Sequence, residues 1–122
     1  MKTVLFTFVL ILLLPYNASA YLDSLDYALI NAVKTCDYAR VNAAVKTVPD
    51  INVADASGKT ALHHAVVCAN PEIVSLLLLH HANPLLEDKQ GMTPLDYAML
   101  FEQAAIIEIL LNRQMPTGVQ AM

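Results

Sequence analysis

An all-α solenoid of about three stacked helix–turn–helix units is the fold class this sequence predicts, and three observations carry the prediction. The stretch DASGKTALHHAV, from Asp55 to Val66, returns as DKQGMTPLDYAM from Asp88. Asp, Gly, Thr, Leu and Ala recur at five of the twelve places, each displaced by 33 residues, where chance from average composition gives about one match in twenty positions. The same offset places Ile73, Val74, Leu77 and Leu78 on Ile106, Ile107, Leu110 and Leu111. Backwards, it places Leu29, Ala32, Val41, Ala44 and Val45 in the slots of Leu62, Ala65, Val74, Leu77 and Leu78. A period of this length marks a stacked array, in which each unit buries its apolar face against the next.

Residues 1–20 stand outside the array. Lys2 precedes the apolar run Val4–Leu14, and Pro15 and Ala18-Ser19-Ala20 follow. A basic start, a short apolar stretch and a small-x-small site make the layout of a secretory signal peptide. The run holds 11 residues, and a spanning helix needs about 18 or more. The expectation is therefore cleavage after Ala20, with membrane contact only through the signal before it is removed. The mature chain would be exported to a periplasm or secreted; the signal does not distinguish these.

The first unit, residues 21–54, has Asp23 or Ser24 as N-cap, a helix to about Cys36, Asp37 as the next N-cap and a helix to about Thr47. It lacks the Asp-x-x-Gly-x-Thr turn of the later units, as an N-terminal capping unit would. The second unit, residues 55–87, opens on that turn. Gly58 takes positive φ at little cost, Asp55 folds a side-chain oxygen onto nearby N–H groups, and Thr60 is placed to cap a helix from Leu62 to about Cys68. Asn70-Pro71-Glu72 then starts a second helix, running to about His80, and Ala82-Asn83-Pro84 ends it. The third unit, residues 88–114, repeats the turn with Asp88, Gly91 and Thr93. Its helices run from Pro94 to about Phe101 and from about Ala104 to Arg113. Ser75, Leu79, His80 and His81 become Glu108, Asn112, Arg113 and Gln114, which reads as a polar terminal cap. Ile109 stays apolar and offers a route to self-association. Residues 115–122 read as a flexible tail.

The composition restricts function. Without Lys2 the mature chain carries six basic and eleven acidic residues, a net charge of −5. The acids are scattered, so the basic footprint that nucleic acid or an anionic membrane requires is missing. No nucleophile motif, dinucleotide fingerprint or phosphate loop occurs, and the reading is not an enzyme and has no cofactor. His63-His64 and His80-His81 are adjacent pairs whose members point about 100° apart on a helix, so no metal site is expected. Cys36 and Cys68 are the two cysteines. Export favours a disulfide between them. Packed helices about 8–10 Å apart are borderline for a bridge whose Cα atoms must lie within about 7 Å. A staple between the first two units and a pair of half-buried thiols both remain open.

Gly-x-Thr-Ala-Leu-His at 58–63, Glu-Ile-Val-x-Leu-Leu at 72–77 and Gly-x-Thr-Pro-Leu at 91–95 resemble ankyrin repeats. The resemblance is specific from Asp55 to about Arg113 and rests on apolar spacing before that. Asp96 stands where the family has His, and Ala69-Asn70 and Glu102-Gln103 where it has Gly-His. The resemblance implies an ankyrin-type solenoid with short β-hairpin turns, a structural hydrogen bond from His63, and a protein partner bound on a concave face. Position by position that face comprises Lys34, Thr35 and Ala54; then Ala56, Ser57, Lys59, Val67, Cys68 and Glu87; then Lys89, Gln90, Met92, Leu100 and Phe101. Leu100 and Phe101 either form its apolar end or fold under the next helix as core. The alternative function is an exported accessory domain that tunes an enzyme through a thiol pair or a weak metal site.

Overall fold

The computed structural model describes Leu25 and residues 27 to 114. The expected signal peptide, the first N-cap and the tail lie outside the described residues. Among the described residues six helices follow in order: α1 over 27–34, α2 (Tyr38–Val45), α3 (Ala61–Val67), α4 (Pro71–Leu79), α5 (Pro94–Leu100) and α6 (Ala104–Gln114). They pair as α1–α2, α3–α4 and α5–α6. Among the described residues the only β element is an isolated antiparallel bridge between Ala54 and Thr60. No described helix is long and apolar enough to cross a membrane.

The helices start where the chain supplies acceptors for their unpaired N–H groups. Asp37 Oδ1 accepts from Ala39 at 2.9 Å, and Asn70 Oδ1 accepts from Glu72 and Ile73 at 3.0 and 3.3 Å. Thr93 and Asp96 cap each other: Thr93 Oγ1 accepts from the Asp96 N–H at 3.2 Å, and Asp96 Oδ2 from the Thr93 N–H at 2.9 Å. This reciprocal box satisfies two orphan donors at once.

The turn closing each helix pair uses a residue in left-handed backbone. Cys36, Ala69 and Glu102 have φ of 56, 55 and 55°, and they fall one repeat apart. Glycine suits such a site best; here three side chains occupy it. His81, after α4, has φ of 69°.

One core runs through the stack. Leu29, Ile30 and Val33 from α1 meet Val41 from α2; Leu62, Val66, Ile73 and Leu77 form the middle layer; Ala98, Ile106 and Leu110 form the last. The apolar residues sit at i, i+3, i+4 spacing on each helix, which gathers them on one stripe. The inner helices α3 and α5 pack on each other, as do the outer helices α2, α4 and α6 in sequence. This is an all-α repeat solenoid.

Candidate functional site

The loops between pairs build the front of the molecule, and each is organised by one carboxylate. Asp55 Oδ1 accepts from the Ser57 N–H at 2.9 Å, the Ser57 hydroxyl at 2.7 Å and the Lys59 N–H at 3.1 Å. Its Oδ2 lies 2.8 Å from Nε2 of His64. Burial works against the charged form, but these hydrogen bonds together hold the Asp55 carboxyl well below the usual carboxylate range. One repeat later, Asp88 Oδ1 accepts from the Gln90 and Met92 N–H groups at 2.9 and 3.0 Å. Its Oδ2 accepts from the Tyr97 hydroxyl, which lowers the Asp88 pKa and, with burial, pushes the Tyr97 phenol up to about 12. His64 and Tyr97 thus do one job at equivalent positions.

Adjacent loops are joined directly. Lys89 N–H donates to the Ser57 carbonyl at 3.0 Å. Gly58, at φ 80°, permits this approach, because a Cβ there would sit 2.8 Å from the Lys89 nitrogen. Behind the loops, His63 is fully buried. The Thr60 N–H donates to its Nδ1 at 3.1 Å. Nδ1 is therefore unprotonated, and Nε2–H donates to the Met92 carbonyl at 2.9 Å. The Thr60 hydroxyl lies 2.9 Å from the same Nδ1, so it serves the imidazole it precedes. Burial, as the largest influence, lowers the His63 pKa and favours the neutral ring.

The candidate face sits on this frame. Lys34, Thr35, Ala54, Ala56, Ser57, Val67, Glu87, Lys89, Gln90, Leu100 and Phe101 are exposed. Lys59, Cys68 and Met92 are half-buried. The Lys59 ammonium lies 5.3 Å from the Tyr97 ring centroid, and Met92 packs partly against the core, so these two also serve the frame. At the ends of the inner helices two rows cross the stack at 33-residue spacing: Lys34, Val67, Leu100 and Thr35, Cys68, Phe101. Val67, Leu100 and Phe101 are 51, 65 and 48% exposed. Of the two placements open for Leu100 and Phe101, the structure therefore takes the surface one. Phe101 stacks on Tyr97 with centroids 6.2 Å apart and planes at 25°. Since Asp88 holds Tyr97, the exposed phenyl ring has a fixed support.

Cys36 and Cys68 form a disulfide with Cα atoms 5.7 Å apart. The interaxial distance overstates their separation, because both lie in turns just past the helix ends rather than on facing helix flanks. Among the described residues no group of three or more His, Cys, Asp or Glu could hold a metal ion.

The polar replacements expected to cap the last unit fall on the solvent side of the stack. Ser75 and Leu79 are already exposed in the middle unit, so polar residues at their equivalents change the solvent face and leave the stacking face unchanged. The stacking slots Val66 and Leu78, 0 and 4% exposed, become Met99 and Leu111, 59 and 40% exposed. Ile109, in contrast, is half-buried against the core.

The Asp88–Tyr97 clamp was not foreseen from the sequence. Its signal was present: column 64/97 carries a hydrogen-bonding side chain in both units, nine residues after the loop carboxylate.

Comparison with known proteins agrees with this architecture. A family model described as ankyrin repeats in three copies matches residues 29–120. The chain is 44% identical over 71 residues to Regulatory protein NPR6 of Arabidopsis thaliana, covering 57% of this chain and 15% of that protein. It is 42% identical over 71 residues to the BTB/POZ domain and ankyrin repeat-containing protein NOOT2 of Medicago truncatula, covering 57% of this chain and 14% of the relative. It is 38% identical over 63 residues to the putative ankyrin repeat protein FPV224 of fowlpox virus, covering 52% of this chain and 43% of the viral one. The chain thus spans a minor part of each relative's length.

Proposed function

The chain belongs to the ankyrin repeat family, and from that premise we propose that it is a protein-binding scaffold acting outside the cytoplasm. It captures a partner protein along the concave face formed by loop tips and inner-helix ends, and it supplies no chemistry of its own. Ankyrin repeats are in general protein-interaction modules, which supports the binding of a partner protein. The observation that supports the concave face is the exposed cluster Val67, Leu100 and Phe101 at the ends of α3 and α5. Contiguous exposed apolar side chains with polar neighbours mark partner sites, and aromatic residues in such patches dominate binding energy. The supporting frame of Asp88, Tyr97 and the loop hydrogen bonds presents Phe101 in one place, so little freedom is lost on docking.

The test compares intact protein with Phe101→Ala and Leu100→Ser as baits in the native extracytoplasmic fraction. Capture of a specific partner is expected to fall at least tenfold, with melting temperatures within a few degrees of the parent, since both residues lie largely outside the core. Undiminished capture by both variants rejects this face. Export is tested separately by mass spectrometry of the mature chain, which is expected to begin at Tyr21.

A second reading is favoured by Met99 and Leu111: the open stacking face at the C-terminal end pairs with another copy. Sedimentation over a wide concentration range decides it, and a strict monomer at high concentration rules it out.

A further inference from the structure

The two interfaces between repeats are held by different means. Between the second and third, three hydrogen bonds cross: His63 Nε2 to the Met92 carbonyl at 2.9 Å, the Lys89 N–H to the Ser57 carbonyl at 3.0 Å, and Gln103 Nε2 to the Val66 carbonyl at 2.9 Å. At the first interface the described residues supply no counterpart to the His63 and Gln103 bonds; the position one repeat before Ser57 lies outside the described residues. Ile30 stands one repeat before His63 and is buried; it has no polar atom to reach the next loop. Val33 stands one repeat before Val66, and its carbonyl oxygen lies 3.1 Å from Sγ of Cys68, which as a disulfide sulfur has no proton to give. The hydrogen bond found here is on the opposite side, from the Asn83 N–H to Asn52 Oδ1 at 2.8 Å. On the inner-helix side the Cys36–Cys68 bond takes the place that hydrogen bonds hold one repeat later.

Cys36 is exposed and Cys68 half-buried, and Cys36 lies in left-handed backbone, φ 56°, a conformation unfavourable for a residue with a Cβ. The disulfide adjoins Lys34 and Thr35 on one side and Val67 on the other, within the candidate face.

We propose that the Cys36–Cys68 disulfide is a redox latch: closed, it holds the first repeat in the stack; opened by a dithiol, it frees that repeat while the other two stay folded together. The chemistry is thiol–disulfide exchange. A reductant thiolate attacks the sulfur of Cys36, the exposed residue of the pair, the S–S bond breaks, and Cys68 leaves as a thiolate that takes up a proton. The second thiol of the reductant then displaces Cys36 and closes its own ring. Two electrons and two protons pass to the cysteines, and the dithiol is oxidised to its disulfide. Residue 36 can then leave the left-handed conformation, and among the described residues no other covalent bond or hydrogen bond ties the inner-helix end of the first repeat to the second. Loss of Lys34 and Thr35 from the binding face is a consequence that rests on the concave-face reading; the latch itself does not.

Hydrogen exchange with dithiothreitol as the reductant tests this without a partner. Reduction is expected to speed exchange of the amides of α2 at least tenfold, while those of α5 and α6 change less than twofold. The double variant Cys36→Ser/Cys68→Ser is expected to reproduce the reduced pattern and to ignore dithiothreitol. Unchanged protection of α2 in the reduced protein, or full protection in the double variant, overturns the proposal. Uniform loss of protection across all helices overturns it too, since the bond would then be a staple for the whole domain.

Discussion

His63 donates from Nε2 to the backbone carbonyl of Met92 across 2.9 Å, and this bond ties the inner helix of one repeat to the loop of the next. The ring also accepts from the Thr60 N–H, so its truncation leaves that buried donor unpaired, while the Met92 carbonyl keeps the Asp88 N–H at 2.9 Å. His63→Ala is expected to cost about 2–3 kcal/mol, from the orphaned Thr60 donor at about 1–3 kcal/mol and the cavity left by a fully buried ring. Asp96, one repeat later, joins only its own helix start to Thr93, and Asp96→Ala is expected to cost about 1 kcal/mol, the usual loss of a cap. Urea titration of the two variants checks the difference; equal losses refute the bridging role.

The same ring makes stability depend on pH in a known direction. Its folded pKa is lowered from 6.5, first by burial. The neutral form is then the one that folds, and the contribution is complete above about pH 6.5 and is lost as pH falls towards the folded value. Asp55 and Asp88 are also lowered in the fold, but their contributions persist until pH falls below about 4, the unfolded carboxylate value. Denaturation midpoints are therefore expected to decline between pH 7 and 5 in the parent and to stay flatter in His63→Gln. Parallel profiles for the two proteins rule this out.

At the alkaline end the partner pair is Asp88 and Tyr97. The phenol is raised to about 12 from 10.0, so its contribution is intact below pH 10 and is lost as pH rises from there towards 12. An absorbance titration at the tyrosinate band is expected to show one phenol ionising near 12, absent in Tyr97→Phe. A parent titration in which all phenols ionise near 10 contradicts the clamp.

Gly58 and Gly91 both have positive φ, 80 and 78°, but only the first has a neighbour pressed against it. A Cβ on Gly58 meets the Lys89 nitrogen at 2.8 Å, and one on Gly91 meets nothing within 4 Å. Gly91→Ala is expected to cost about 1 kcal/mol for the backbone conformation alone. Gly58→Ala is expected to cost at least about 1 kcal/mol more, because overpacking adds strain. Thermal denaturation of the pair reads the gap directly, and no gap means the loops do not touch as described.

Glu102 is exposed and left-handed, φ 55°. Replacing it by glycine removes a penalty of about 1–2 kcal/mol and adds back part of it through the freer unfolded chain. Glu102→Gly is expected to stabilise by about 0.5–1 kcal/mol. A lower denaturant midpoint for the variant shows that the glutamate has a role the backbone argument misses.

The sequence by itself determined the repeat, its register and the helices, because those depend on local chemistry: a carboxylate, a glycine and a threonine at set spacing make a turn and a helix start wherever they recur. Asp37, Asn70 and Thr93 cap the helices as their residue types require, and the apolar columns fill one core. The relations that cross between repeats were settled by the tertiary structure. Whether Cys36 reaches Cys68 depends on turns at helix ends that no interaxial distance describes. Whether Leu100 and Phe101 face solvent depends on what packs beyond them, and the open stacking slots of Met99 and Leu111 look in sequence like the buried Val66 and Leu78. Burial belongs to the neighbours a residue has, and a period tells only which residues are equivalent.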